Sequence, residues 1–259
     1  MHRISISPDS RSYPSDGKEL DLAYSAEGIY YLRSTEHGGP PWIEIAGRRL
    51  ERLLDSIYVP VPLECLTATQ ISVVNSLRRE LPSVIDEGSA NAIVKEKFVA
   101  LIKDVGARNV LEWGCGYDSI APWLKDISYT AVDIDSEVVN TQDKQGVRCF
   151  HANDLLSEDS KDVDVIPAIF VFQFCISRRH AASMAEALGP SGIIVANVYR
   201  RNRGSRRRLR KTLRSAGLAV YSRPDPEQLC SMNEYWVATK GRSAAECSYL
   251  LDELCKTAV

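Results

Sequence analysis

Residues 109–119, NVLEWGCGYDS, contain the part of the sequence that decides the fold. An apolar segment typical of a β-strand runs directly into a turn with glycines at 114 and 116. The next residues, DSIAPWLKD (118–126), are predicted to form a helix, in which Pro122 is tolerable in the first turns. Glycines let a backbone turn tightly and approach a ligand, and a helix N-terminus presents free N–H groups. An ordinary strand–helix turn has the same pattern, so these residues alone do not establish a ligand site.

The sequence on both sides of this turn alternates between predicted strands and helices. Strands are predicted in residues 129–134, 147–150, 162–172, 192–199, 218–223 and 234–240. Helices are predicted in residues 91–105, 136–144, 180–188, 205–217 and 244–258. This alternation predicts an α/β fold with a Rossmann-like, doubly wound sheet that is mostly parallel. The last two strands are joined by a short loop without a helix, which predicts an antiparallel final strand.

The alternation also suggests three regions. Residues 89–240 are predicted to form the α/β domain, and residues 241–259 a C-terminal helix. Residues 1–88 are predicted to be an extension that begins with a loose arm over residues 1–20. Short strands are expected at GIYYLRS and WIEIAG, and RRLERLLDSI (48–57) has leucines at helical spacing.

Acidic residues follow three successive predicted strands. Glu112 lies two residues before the first glycine, Asp133 ends the next strand, and Asp154 follows the third. In open α/β sheets the carboxyl edge of the strands is where ligands bind. An acid at the position of Asp133 typically accepts hydrogen bonds from ribose hydroxyls. The alternative role for Asp133, capping the following helix, suits Asp135 better.

These motifs resemble those of the class I S-adenosylmethionine-dependent methyltransferases over residues 90–240. Glu112, Gly114 and Gly116 match the first motif, although Asp118 replaces the usual third glycine. The resemblance implies that S-adenosylmethionine is the cofactor and that Asp133 binds its ribose. It also implies that Asp154 contacts the adenine amino group, with Asn153 and Leu155 beside the ring. The segment AIFVFQF (168–174) matches the region that lines the methyl-transfer site, which Gln173 and Phe174 are expected to border.

A nicotinamide cofactor is the competing interpretation of the glycine turn. It would favour an uninterrupted GxGxxG, but the third glycine position is Ser119. Glu112 would also repel a pyrophosphate. S-adenosylmethionine, which carries an ammonium, a sulfonium and two ribose hydroxyls, suits a pocket lined by acids and backbone groups.

The resemblance implies direct displacement, in which an O, N, C or S atom of the acceptor attacks the activated methyl group, and we predict an O or N atom. A general base is needed only where the nucleophile loses its proton early. His180 and Tyr199 are the predicted catalytic residues, and His151 is a weaker candidate for a base. No [DN]PP[YF] motif or Pro-Cys pair follows the fourth strand, and no metal site is predicted.

A basic segment begins directly after the fifth strand. Residues 200–214 hold nine basic residues and no acid, whereas the other 23 basic residues of the chain face 34 acids. Arg200, Arg201 and Arg203 are expected at the mouth of the site, where they can hold an anion. The acidity of the rest of the chain favours a small-molecule substrate that bears a carboxylate or phosphate. Two alternatives stay open, a nucleic-acid methyltransferase that uses residues 200–214 and a non-catalytic binding subunit with this fold.

Composition indicates a globular protein without a membrane-spanning segment. Hydrophobic residues make up 44% of the 259, no apolar run reaches about 20 residues, and the polar start lacks a secretory pattern. Seven cysteines without a CxxC pair indicate reduced thiols, no structural zinc and a cytoplasmic location. The first 88 residues are expected to cap the pocket and to set substrate specificity, as extensions in the resembling family often do.

Overall fold

The structure is a computed structural model that describes residues 11–15, 18–32, 40–54, 56–80, 90–155, 161–229 and 232–256. The chain folds into two compact units, Met1–Val84 and Ile85–Val259. The C-terminal helix belongs to the second unit.

The first unit is built on a six-stranded antiparallel sheet. Its strands are β1 (Arg11–Ser15), β2 (Lys18–Tyr24), β3 (Tyr30–Leu32), β4 (Trp42–Ile45), β5 (Arg48–Leu54) and β6 (Ile57–Pro60). They lie in the order β1-β2-β3-β6-β5-β4, and the helix α1 (Ala68–Glu80) follows them. Leu22, Ile43, Leu50 and Tyr58 belong to its buried core.

Three features of this unit differ from the predictions. The arm contains β1 and the start of β2, and α1 lies in a region for which no helix was predicted. The segment with leucines at helical spacing is the strand β5, paired on both sides by β4 and β6. Its register shifts between Arg52 and Leu54, so Leu50 and Leu53 are both buried although they are three positions apart. A bulge in a strand can therefore imitate the spacing of an amphipathic helix.

The second unit has a seven-stranded sheet with helices on its faces. Its strands are β7 (Asn109–Trp113), β8 (Ser128–Asp133), β9 (Cys149–His151), β10 (Val163–Ala168), β11 (Leu188–Val198), β12 (Ala219–Pro224) and β13 (Glu234–Thr239). Its helices are α2 (Ala90–Asp104), α3 (Ser136–Lys144), α4 (Arg178–Ala187), α5 (Arg203–Ser215) and α6 (Ala244–Leu254).

The strand order of this sheet is β12-β13-β11-β10-β7-β8-β9. Counted from its first strand along the chain, this is the order 3-2-1-4-5-7-6. The last strand, β13, lies between β11 and β12 and is antiparallel to both. The predicted α/β fold, with a mostly parallel sheet and an antiparallel final strand, is confirmed.

Two apolar layers cover the faces of the sheet. Ala181 and Met184 of α4 and Leu209 and Leu213 of α5 contribute to one layer. The other layer includes residues of α2 and α6, among them Phe98 and Leu250. Because β7, β8, β9, β10 and β11 are parallel, their carboxyl ends share one edge, which we call the ligand edge.

The segment after the glycine turn is not the predicted helix. Residues 118–126 contain only a short 3-10 turn at Ala121–Trp123, and β8 begins at Ser128. Pro122 lies in this turn and has no N–H to donate to a longer helix. No helix N-terminus therefore points at the ligand edge from this segment.

Candidate functional site

The glycine loop, residues 114–120, lies at the ligand edge between β7 and the 3-10 turn. Gly114 and Gly116 both adopt left-handed backbone conformations, with φ of 76° and 60°. The backbone N–H groups of Gly114 and Cys115 donate to the Val132 carbonyl at 2.7 and 3.2 Å. A Cβ on Gly114 would lie 2.3 Å from Cγ2 of Val171, so this position has no space for a side chain.

Two buried carboxylates hold the loop through its N–H groups. Oδ2 of Asp133 accepts from Gly116 N at 2.9 Å, and its Oδ1 accepts from Asp135 N at 2.9 Å. Oε2 of Glu112 accepts from Ile120 N at 2.9 Å and from the Tyr129 hydroxyl. Glu112, Gly114, Gly116 and Asp133 are thus brought together as the sequence predicted.

Burial controls the protonation of both acids. It raises the pKa of Glu112 to about 7, although the hydrogen bonds from Tyr129 and Ile120 favour the charged form. Burial also raises the pKa of Asp133, against the hydrogen bonds from Asp135 and Gly116. The pKa of Tyr129 is raised by burial and by the Glu112 carboxylate.

Gln142 of α3 holds the carbonyl groups of the same loop. Its Nε2 donates to Gly116 O at 2.8 Å and to Tyr117 O at 3.1 Å. Gln142 is fully buried and was not predicted as a site residue. It lies four residues after the buried Val138, on the same face of the helix. A polar residue on this apolar face was the sequence signal that could have identified Gln142.

The hydrogen bonds of the loop decide which ligands it suits. Gly116 N and Ile120 N already donate to carboxylates, so they are not available to a phosphate. The negative charge beside them disfavours a pyrophosphate further. A carboxylate has about four acceptor positions, so Asp133 keeps capacity for the hydroxyl donors of a ribose.

The third strand ends in a turn that contains the predicted adenine contacts. Asp154 N donates to His151 O at 2.8 Å, the Asp154 side chain is exposed, and Leu155 is buried. His151 Nε2 lies 2.9 Å from Ile134 O, while its Nδ1 lies 3.3 Å from Asn153 N. Both ring nitrogens of His151 are thus engaged by the backbone, which suits a positioning role better than that of a base.

The segment that follows β10 is held over the glycine loop. Phe170 has a left-handed φ of 54°, and its N–H donates to Oδ1 of Asn197 at 2.7 Å. Such conformations persist only where the surroundings fix them. Gln173 lies in this segment and is buried, and its Oε1 accepts no hydrogen bond from the described residues. Phe174 is half-buried.

Arg201 fixes the same segment from the turn after β11. Its guanidinium donates to the carbonyls of Phe172 and Phe174 and to Oγ of Ser205. Arg201 was predicted at the mouth of the site as a substrate contact, but its side chain is only 4% exposed. The structure therefore gives Arg201 a positioning role, because its donors are directed at the backbone rather than at the ligand edge.

Tyr199 and Arg200 directly follow β11. The Tyr199 ring meets the Phe170 ring edge to face at 5.2 Å, and the Arg200 guanidinium lies 5.7 Å above Tyr199. Arg200 has a left-handed φ of 52° and is half-buried. These two predicted site residues lie together at the ligand edge.

Comparison with known proteins gives one family match, which lies within the second unit. Residues 111–196 match the family model of a methyltransferase domain, a match that includes the glycine loop and the strands from β7 into β11. Within the second unit, residues 111–196 are therefore similar to a methyltransferase domain, and the sheet has the topology that the motifs predicted. This match supports the S-adenosylmethionine-dependent methyltransferase activity and the cofactor that the motifs predicted.

Solved structures with a similar fold include the CcbJ methyltransferase from Streptomyces caelestis. It is 14% identical, with a TM-score of 0.49, over 65% of this chain and 96% of that one. A TehB-like S-adenosylmethionine-dependent methyltransferase from Corynebacterium glutamicum is 19% identical, with a TM-score of 0.46, over 66% and 99% of the two chains. No curated protein matches the sequence.

The residues of the methyltransferase domain fit the chemistry of the cofactor. S-adenosylmethionine is a cation at its sulfonium and a hydrogen-bond donor at its ribose hydroxyls. Asp133 and Glu112 lie against the glycine loop, and Gln173 adds a buried oxygen without a described donor. These groups are acceptors, which is what a donor-rich cation requires.

The two predicted catalytic residues are not brought together. The ring of His180 lies 5.8 Å from that of Trp113, which belongs to the same apolar layer as α4 and α5. Tyr199 contacts Phe170, which packs against the opposite layer. Burial lowers the pKa of His180, and the charges of Arg179 and His151 lower it further. The neutral form of His180 is therefore favoured.

The described residues contain neither a metal centre nor a membrane span. No group of three His, Cys, Asp or Glu side chains among them is arranged to hold a metal ion. None of the described helices has the length and apolar character needed to cross a membrane.

Proposed function

We propose that this enzyme transfers the methyl group of S-adenosylmethionine to an O or N atom of a small molecule that carries a carboxylate or phosphate. The main support for S-adenosylmethionine as the cofactor is the glycine loop, whose N–H groups donate hydrogen bonds to Asp133 and Glu112. The half-buried Arg200 at the ligand edge supports an anionic acceptor. Its guanidinium suits planar recognition of a carboxylate or a phosphate.

In this proposal the protein mainly positions the reactants. The cofactor supplies the activated methyl group. Asp133 orients the ribose, the turn at Asp154 and Leu155 contacts the adenine, and Gln173 and Phe174 border the methyl group. Arg201 and Asn197 hold the segment that contains Gln173 and Phe174, and a fixed segment would help to align an acceptor with the methyl group.

His180 and Tyr199 are the proposed groups for removing a proton from the acceptor. His180 is the better candidate where the acceptor is an amine or an acidic hydroxyl, because burial favours its neutral form. The variants His180→Ala and Tyr199→Phe test the two roles separately. A loss of turnover with unchanged cofactor affinity is expected for the variant of the residue that acts as the base.

The cofactor part is tested first by isothermal titration with S-adenosylmethionine, S-adenosylhomocysteine and NAD. We expect micromolar binding of the first two and none of NAD. Asp133→Ala is expected to weaken binding by about 1–3 kcal/mol, because it removes hydrogen bonds to a charged group. Asp126→Asn, a change at an exposed acid, is the control and should bind normally. Binding of NAD alone would overturn the proposal.

The acceptor part is tested by a screen with methyl-labelled cofactor against metabolites that carry carboxylates or phosphates. For an accepted substrate, Arg200→Gln is expected to raise KM with little change in kcat, because it removes binding rather than alignment. An Arg200→Gln enzyme with unchanged KM for every accepted substrate would contradict this assignment.

A nucleic-acid acceptor is the second candidate. One specific observation favours it, the row of exposed cations on α5. The same screen should therefore include RNA and DNA oligonucleotides.

A further inference from the structure

The apolar side of the helix α5 packs against the core of the domain. Asn202 caps its N-terminus by accepting from Ser205 N at 2.9 Å. Ser205, Leu209 and Leu213 are buried, and the two leucines belong to an apolar layer of the core. The core contacts of the helix thus need only three of its thirteen residues.

Two of its arginines are used within the domain. Arg206 pairs with Glu234 and donates to the Met232 carbonyl. Arg210 donates to Oγ of Ser222 at 2.8 Å and lies 4.9 Å above the Trp236 ring. Both connect α5 to β12 and to the chain around β13, so their charges have a structural explanation.

Four other cations of α5 have no such structural explanation. They are exposed, they follow one another at intervals of four, four and three residues, and their side chains make no ion pair or hydrogen bond with the described residues. We call them the basic stripe: Arg203, Arg207, Lys211 and Arg214. Residues at these intervals share one face of a helix. Like charges at this spacing destabilise a helix by a few tenths of a kcal/mol per pair, so the stripe does not serve the fold.

The length of the basic stripe excludes a single small anion as its partner. Eleven residues separate its ends, which is about 16 Å at 1.5 Å per residue. A carboxylate or a phosphate group reaches one or two of these side chains at a time. A chain with a repeated negative charge can contact all four.

The position of the stripe relates it to the active site. It begins at Arg203, five residues after the end of β11, at the ligand edge. The exposed Arg178 and Arg179 begin α4, which contacts α5 and also starts from that edge. The stripe therefore runs from the ligand edge along the outside of the domain.

We propose that the basic stripe binds the phosphate backbone of a single-stranded nucleic acid. Three of its four cations are arginines, whose planar guanidinium groups bind phosphate in a bidentate manner. A single row of cations matches one strand. An anionic membrane would require exposed apolar residues beside the cations, but Leu209 and Leu213 of this helix are buried.

This inference goes beyond the proposed function, because a strand can bind to α5 whether or not it is the methyl acceptor. It also does not depend on the cofactor, since the stripe lies outside the glycine loop. Failure of cofactor binding and failure of strand binding are therefore separate results.

The test is fluorescence anisotropy of the full chain with a labelled oligouridine RNA of about 20 nucleotides, without cofactor. The stripe variant replaces all four cations with glutamine. The control variant replaces four exposed lysines elsewhere in the second unit, Lys103, Lys125, Lys144 and Lys240. Both variants lose four positive charges, so overall charge affects them equally. Thermal melts of both variants establish that they are folded.

We expect the wild-type chain to bind the RNA and the stripe variant to bind at least tenfold more weakly. The slope of log affinity against log salt should fall by about 3 in the stripe variant, because each phosphate contact on a single strand contributes about 0.7. The control variant should bind within about twofold of the wild type.

Several results would overturn the proposal. Absence of RNA binding by the wild-type chain at about 50 mM salt would do so, and so would equal losses in the two variants. Single-stranded DNA and a duplex of the same length serve as parallel probes, and stripe-dependent binding of the duplex alone would exclude a single strand. Stripe-dependent binding of phosphatidylserine vesicles without RNA binding would identify a membrane partner instead.

Discussion

Replacing Glu112 with glutamine tests the reasoning about the glycine loop most directly. The carboxyl group of Glu112 is buried and accepts hydrogen bonds from Ile120 N and the Tyr129 hydroxyl. Glutamine has the same shape, keeps an oxygen to accept these bonds, and carries no charge. The variant therefore resembles the protonated acid at every pH.

The magnitude follows from the difference in pKa between the unfolded and folded chain. This pKa rises from 4.5 to about 7 because burial disfavours the charged form. The folded state thus binds the proton more tightly, and stability from this group is complete below pH 4.5 and is lost as the pH rises to 7. At about 1.36 kcal/mol per pKa unit, the wild type loses about 2.5 kcal/mol between pH 5 and pH 8.

Thermal unfolding at a series of pH values measures this loss. For a unit of this size, about 2.5 kcal/mol corresponds to a fall in Tm of about 5–10 °C. We expect this fall in the wild type and not in Glu112→Gln, which should be the more stable protein at pH 8. The comparison between variants cancels the other titrating groups, such as His180. Glu186→Gln, at an exposed acid of α4, is the charge control and should follow the wild type.

Parallel pH profiles for the wild type and Glu112→Gln would refute the argument. They would mean that Glu112 titrates near its ordinary pKa. A less stable Glu112→Gln protein at pH 8 would mean that the charged carboxylate, through its two hydrogen bonds, stabilises the loop more than burial opposes it.

Three further substitutions have expected outcomes. Gly114→Ala should weaken cofactor binding at least tenfold, because the new Cβ meets Val171 at 2.3 Å. Adding Val171→Ala to this variant should restore part of the affinity, as measured by calorimetry. The control Gly146→Ala, at a left-handed position with open space around it, should leave the affinity unchanged. Arg201→Met should lower the free energy of unfolding by about 2–4 kcal/mol in urea titrations, because the carbonyls of Phe172 and Phe174 lose the guanidinium as a donor. An effect below about 0.5 kcal/mol would contradict its positioning role. Lys97→Met should lower the free energy of unfolding by about 2–3 kcal/mol in the same assay, because the buried ammonium donates to Glu227 and to the carbonyl of Lys256 at the end of α6. An unchanged free energy of unfolding would mean that this end of the helix needs no such contact.

Sequence periodicity predicted the second unit well because its elements are long and regular. The helix α2 shows its apolar face as Val94, Phe98, Leu101 and Ile102, and all four are buried. The segments whose secondary structure was predicted wrongly are short or interrupted. In β5 a bulge produced helical spacing, and residues 118–126 stop at a 3-10 turn because Pro122 and the start of β8 leave no room for a helix.

Some residues of the site could be predicted from sequence motifs, whereas the contacts of others depend on how the helices and strands pack. Glu112, Gly116 and Asp133 were found from the sequence because each lies at the carboxyl end of a strand, or in the turn after it, at a fixed position in a motif. Gln142 reaches the glycine loop from α3, a contact that depends on how the helix packs. Arg201 was expected at the mouth of the site because it directly follows the fifth strand, but its guanidinium donates to the carbonyls of Phe172 and Phe174.

The position of β13 between β11 and β12 has a consequence for how the chain folds. During synthesis β11 is made well before β13, so one edge of β11 has no partner until residue 239 has left the ribosome. An unpaired, apolar strand edge is a template for association with other chains. A nascent or truncated chain that stops before Glu234 therefore exposes the apolar edge of β11, and a chaperone that covers this edge would raise the yield of folded enzyme.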